Sequence, residues 1–195
     1  GGFSFSGTSL TLNNAPGGEH AYMIMAGVNG YTMSGCVYAN GISTVAELEA
    51  WRANQVLAYT VLLSDIDAEG ATLAVSDVWR EGVLDGLGHT ISNFKMTSSF
   101  VHAINGSGAV KNLQLVNFIQ DCSVAGTEAV QFGILAVDNA GTIENVMLKG
   151  KLINVPNADH YGLLFKGALN NSVCRNVFAE LITDGQTYHY SGPLY

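Results

Sequence analysis

One short pattern recurs through this chain: a small or apolar residue, any residue, asparagine, an apolar residue, any residue, an apolar residue. It reads Ile91-Ser92-Asn93-Phe94-Lys95-Met96, Val110-Lys111-Asn112-Leu113-Gln114-Leu115, Ile143-Glu144-Asn145-Val146-Met147-Leu148 and Cys174-Arg175-Asn176-Val177-Phe178-Ala179. The asparagines are separated by 19, 33 and 31 residues. A second element, "FGIL" at 132–135 and "YGLLF" at 161–165, keeps pace with the later copies. Periods of this length mark architectures built from stacked units, and these units are strands and turns.

The facing of side chains indicates what the asparagine does. In a straight strand Val110 and Leu113 would point to opposite faces, because side chains alternate with period two. Both are apolar, so the chain is expected to bend at Asn112 and switch phase. Asparagine is one of the few non-glycine residues that enters the left-handed region and bonds locally. On rungs about 4.8 Å apart, such corners would stack their amides. The expectation is a β-solenoid with Asn93, Asn112, Asn145 and Asn176 as one ladder. Its core should contain Ile91, Phe94, Val110, Leu113, Leu115, Ile143, Val146, Leu148 and Val177. Just upstream, "LDGLGHT" reads as a tight turn into the first rung, made by Asp85, Gly86 and Gly88, with His89 at the rung edge.

The rest of the chain is organised around that repeat. Residues 1–41 alternate in short pieces cut by "NNAPGG", "VNG" and "ANG", which supply positive φ for tight turns. They form an N-terminal β segment that connects to, or packs on, a main domain at 42–195. At the junction, Thr44 with Glu47 three residues on is a capping box, and Val45, Leu48 and Trp51 follow at helical spacing. The expected helix spans about 45–54 and caps the solenoid.

Composition narrows the function classes. Net charge is −8, and all eight cations lie at Arg52 or later without clustering, so a footprint for nucleic acid is missing. No apolar run approaches the roughly 20 residues that span a bilayer. Charged residues are 12% of the chain, leaving a surface of Ser, Thr, Asn and Gly that suits an extracellular, cell-surface or virion protein. The start carries neither Met nor a signal-like segment, so the chain is expected to begin at a processing point or to belong to something longer. Cys36, Cys122 and Cys174 show no metal-ligand spacing; they read either as buried thiols or as one disulfide plus a thiol.

Several of these stretches carry a family resemblance. "IST-x-x-E-L" (Ile42–Leu48), "Y-x-x-L-x-x-DID" (Tyr59–Asp67), "LDGLGHTISNF" and the repeated "G-x-[I/V]-x-N-[L/V]" resemble bacterial and phage surface proteins with GLUG-type repeats, over about residues 42–180. The resemblance implies an all-β, right-handed parallel β-helix, as in adhesins, exoproteins and virion fibres or spikes.

Chemical motifs are sparse. Asp65-Ile66-Asp67-Ala68-Glu69-Gly70 opens like a calcium loop, but Ser76 stands where the bidentate Glu belongs, which excludes an EF-hand. A looser calcium site on Asp65 and Asp67 stays open beside the reading of solvated acids and no cofactor. Glycoside hydrolysis needs two suitably spaced carboxylates; Asp65, Asp67, Asp77, Glu81 and Asp85 are available near His89, and nothing in the spacing selects a pair. Tyr188, Tyr190 and Tyr195 could stack on sugars, or cover the end of the solenoid, or meet a neighbouring subunit. The expectation is a non-catalytic structural or adhesive module that associates with itself or with other surface subunits. The alternative is a polysaccharide-binding or depolymerising spike.

Overall fold

The computed structural model describes residues 2–6, 9–13, 20–26, 33–55, 59–124, 132–155, 161–162, 165–168, 172–183 and 186–192, with side chains described within 40–55, 59–123, 133–155 and 172–183. Strands dominate. In chain order they begin with β1 (Gly2–Ser6), β2 (Ser9–Asn13), β3 (His20–Ala26) and β4 (Met33–Ile42), followed by helix α1 (Val45–Ala53). Then come β5 (Tyr59–Leu62), β6 (Ile66–Asp67), β7 (Trp79–Arg80), β8 (Val83–Asp85), β9 (Thr90–Ser92) and β10 (Lys95–Met96). The last group is β11 (Val101–Ile104), β12 (Ala109–Asp121), β13 (Phe132–Gly133), β14 (Ala136–Asn139), β15 (Thr142–Ile153), β16 (Tyr161–Gly162), β17 (Phe165–Ala168), β18 (Val173–Thr183) and β19 (Gln186–Gly192).

The pairings are parallel through the middle of the molecule. The principal sheet runs β19-β18-β15-β12-β8-β5-β4-β3, and every neighbouring pair from β4 to β18 is parallel. A second parallel sheet runs β17-β14-β11-β7, and β13 pairs with β16. Each pass of the chain lays its strands beside the equivalent strands of the previous pass. In-register residues therefore stack in columns. Thr60, Leu84, Val110, Ile143 and Cys174 form one column, and Ile66, Ile91, Leu115, Leu148 and Ala179 another; all ten are buried. Beside them the Phe94 and Phe118 rings stack at 5.6 Å. All nine core residues expected from the repeat are buried. At about 1.5–3 kcal/mol for each fully buried aliphatic or aromatic side chain, these columns are the main source of cohesion.

The ends differ from the middle. β3 joins β4 antiparallel and β19 joins β18 antiparallel, while among the described residues β1 and β2 pair only with each other. The boundary expected after residue 41 falls inside β4, because that strand continues to Ile42 in order to pair with β5. Helix α1 starts on the Thr44–Glu47 capping box and stops at Asn54, whose extended φ and ψ end the turn. Its buried residues are Leu48, Trp51 and Arg52, and the first two belong to one hydrophobic core with Ile42, Leu62 and Leu73. No helix among the described residues is long and apolar enough to cross a membrane.

Candidate functional site

The polar groups that the sequence marks out gather where the strands kink. Val110 and Leu113 both face the core because Asn112 between them is left-handed, at φ 51°. Asn145 and Asn176 repeat that conformation at φ 54° and 50°. Their amides form a chain with one direction: Asn176 Nδ2 donates to Asn145 Oδ1 at 3.0 Å, and Asn145 Nδ2 donates to Asn112 Oδ1 at 2.8 Å. Asn112 Nδ2 then donates to Asp85 Oδ1 at 2.9 Å. A carboxylate therefore terminates the ladder.

Asn93 stands apart from these three, which corrects the single four-membered ladder. Ser92 lies opposite Val116, so Asn93 falls five residues further along the pass than Asn112 does, at a second kink shared with Asn117 (φ 57° and 53°). There Asn93 Nδ2 donates to Asp67 Oδ1 at 2.9 Å. At a third kink Asn154 (φ 54°) donates to Asp121 Oδ1 at 3.0 Å.

The three aspartates share one geometry. Each pairs with the residue just before the asparagine on the next pass: Asp67 with Ser92, Asp85 with Lys111, Asp121 with Ile153. Each also accepts the backbone N–H two residues on, from Glu69, Leu87 and Ser123 respectively. In the first two the chain then turns through consecutive positive-φ residues, Glu69–Gly70 and Leu87–Gly88. The sequence held a signal for this in "DAEG" and "DGLG", which are two copies of one turn. Within "DGLG" the glycines serve different ends. Gly88 has φ 88° and open space around it, whereas a Cβ at Gly86 would run into the Asn112 carbonyl oxygen.

Asp85 is the most enclosed of these carboxylates, at 3% exposure. Besides Asn112 and the Leu87 N–H, it accepts the Tyr59 hydroxyl at 2.6 Å, and Lys111 Nζ lies 3.5 Å away. Burial alone would raise its pKa. The bonds from Tyr59, Asn112 and Leu87, with the Lys111 charge, outweigh burial and hold it below the usual carboxylate range. Burial and Asp85 together raise the Tyr59 phenol, and the Lys111 ammonium sits 5.0 Å from that ring's centre. Continuing along the row, Lys111 stands opposite Glu144 and Glu144 opposite Arg175, so charge alternates across four passes.

Elsewhere, exposed Asp65 accepts the Thr90 N–H at 2.9 Å and lies 3.0 Å from His89 Nδ1; the Thr90 bond chiefly, then His89, lowers its pKa. The Glu69 N–H and then Asn93 do the same for Asp67. At Asp121 the leading cause is Asn154. Among the described residues no group of three His, Cys, Asp or Glu side chains is arranged to hold a metal ion. Tyr188 and Tyr190 lie on β19, with side chains outside the described set, and Tyr195 lies outside the described residues. Cys122 and Cys174 are both buried. What this arrangement offers chemically is a set of ionised acceptors, each already holding donors. No protein-family model, curated protein or solved structure matches the chain.

Proposed function

We propose that the parallel passes are coils of a right-handed β-helix, and that the chain is an exported structural or adhesive module of a cell-surface or virion assembly, without a catalytic role. The observation that carries this reading is the use of the acids. Asp67, Asp85 and Asp121 each spend one oxygen on a backbone N–H and on an asparagine of the next pass. Carboxylates held this way stay ionised and cannot serve as general acids near neutral pH. Right-handedness follows the rule for crossovers between parallel strands of one sheet, obeyed in about 98% of cases. A stack of this kind is a stiff rod whose flank suits contact with other subunits. It also agrees with the resemblance to GLUG-type surface proteins. Electron microscopy and sedimentation of the purified chain test the reading: rods or a defined self-assembly are expected, and a catalytic turnover of any glycan would sink it. No cofactor is required, so chelation should leave the melting temperature unchanged, and a loss restored by calcium would reopen the site at Asp65 and Asp67.

A second reading, polysaccharide binding, is favoured by one feature. Trp79 is 46% exposed on an edge strand, with the His102 ring 5.9 Å away and tilted against it. An exposed indole of this kind can stack on a sugar. Glycan-array binding that disappears in Trp79→Ala would support it, and unchanged binding would dismiss that surface.

A further inference from the structure

Two arginines are fully buried, Arg52 within α1 and Arg80 against its C-terminal end, and a single carboxylate is bonded to the pair. Arg52 and Arg80 are each 1% exposed, and Trp51 between them is 4% exposed. The Arg80 guanidinium lies 4.1 Å from the centre of the Trp51 ring and donates to the backbone oxygens of Arg52 and Asn54, the carbonyls left open where the helix ends. Arg52 donates from Nε to Phe100 O at 2.8 Å and from Nη1 to Glu49 at 2.7 Å. Glu49 is the only carboxylate bonded to either guanidinium among the described residues. Three N–H donors of the cluster remain buried without an acceptor: Trp51 Nε1, Arg52 Nη2 and Arg80 Nε.

Buried donors are nearly always satisfied, and buried charges are nearly always paired. Water could meet the three hydrogen bonds, but it would leave two guanidiniums facing one carboxylate and the partial charge of a helix C-terminus. An anion meets both demands. Trp51, with Ala50, Asn54 and the acidic Glu47, lines a cavity of about 330 Å³ that brings solvent to the edge of the cluster, although neither arginine lines it. We propose that the Arg52–Arg80–Trp51 cluster binds one small monovalent anion of chloride size, completing the contact between α1 and the first passes of the sheet.

The test uses the whole chain. Melting is followed in sodium chloride and in sodium gluconate at equal sodium concentration, because gluconate is too large to enter. The melting temperature should rise with chloride and level off as the site fills, as for any ligand of the native state. Trp51→Phe keeps the ring under Arg80 and removes one donor, so it should raise the half-saturating chloride concentration roughly tenfold, the worth of one hydrogen bond to a charged group. Should that variant fail to fold, crystals of the unaltered protein soaked in bromide give an independent answer. An anomalous peak within hydrogen-bond distance of Arg52 Nη2 and Arg80 Nε supports the proposal. Identical melting in the two salts, or ordered water alone at that position, overturns it.

Discussion

At Asn145 one side chain does two jobs, and two substitutions separate them. It permits φ 54° in the backbone, and it hands a hydrogen bond to Asn112 while receiving one from Asn176. Asn145→Gly removes the bonds and keeps the conformation; Asn145→Leu removes both, with a left-handed penalty of about 1–2 kcal/mol. The leucine variant should therefore be the less stable of the two by about that amount in chemical denaturation, and equal losses would mean that the kink is not what asparagine supplies. Asp85 makes the matching prediction in pH. Its folded pKa lies below the unfolded value of about 3.9, so its contribution is present above that value and is lost as pH falls through the folded pKa. Asp85→Asn should melt below the parent at pH 7, and the gap should close as pH approaches 2. A gap that persists at pH 2 would assign the loss to packing instead of charge.

Among the elements, the turn at 85–88 gives the sharpest contrast. Gly86→Ala forces a methyl against the backbone of the neighbouring pass, where nothing can swing aside, and overpacking of this kind costs about 1–3 kcal/mol. Gly88→Ala meets no atom and should lose only the left-handed preference, about 1–2 kcal/mol. A Leu113 or Asn112 amide shift in the spectrum of Gly86→Ala, absent from Gly88→Ala, would distinguish the two causes. Much of this element was readable beforehand. The recurrent asparagine implied a kink because two apolar neighbours had to share a face, and Thr44 with Glu47 placed the helix start within its own first turn. What could not be read was which kink each asparagine belongs to. That depends on how many residues the chain spends between kinks: Asn93 meets Asn117, five residues past the Asn112 kink, and the place opposite Asn112 is taken by Gly86. The sequence reads Asp85 as a turn residue and Asp67 as a solvated acid or loose calcium ligand; the bonds of these acids to asparagines, and Asp121 altogether, are not legible in it, for a related reason. Their partners lie 26, 27 and 33 residues away, so an acid in "DID" or "FIQDC" looks solvated until the next pass is laid on it. The Arg52–Arg80 contact is likewise a product of packing, with no local pattern to announce it.

For the molecule as a whole, the stacked columns imply that the core opens as a unit, and one thiol can report on it. Burial, and secondarily the Asp121 charge, pushes Cys122 up to about 11. At pH 8 it should resist alkylation in the native protein and react fully once denatured, as peptide mapping would show; rapid native labelling would mean that the 122–124 turn opens independently of the core. The one-way run of amides bears on how such a chain could change length. Asp85 can accept but has no amide to give, so the run of amides ends there although the sheet continues beneath it through β5, whose Tyr59 hydroxyl donates to the same carboxylate. At the other end β19 runs antiparallel along β18, pairing Gly192 with Val177 beside Asn176. A further pass carrying its own asparagine would have to displace β19 before it could donate to Asn176, so the run of amides is closed by an acid at one end and by an antiparallel hairpin at the other.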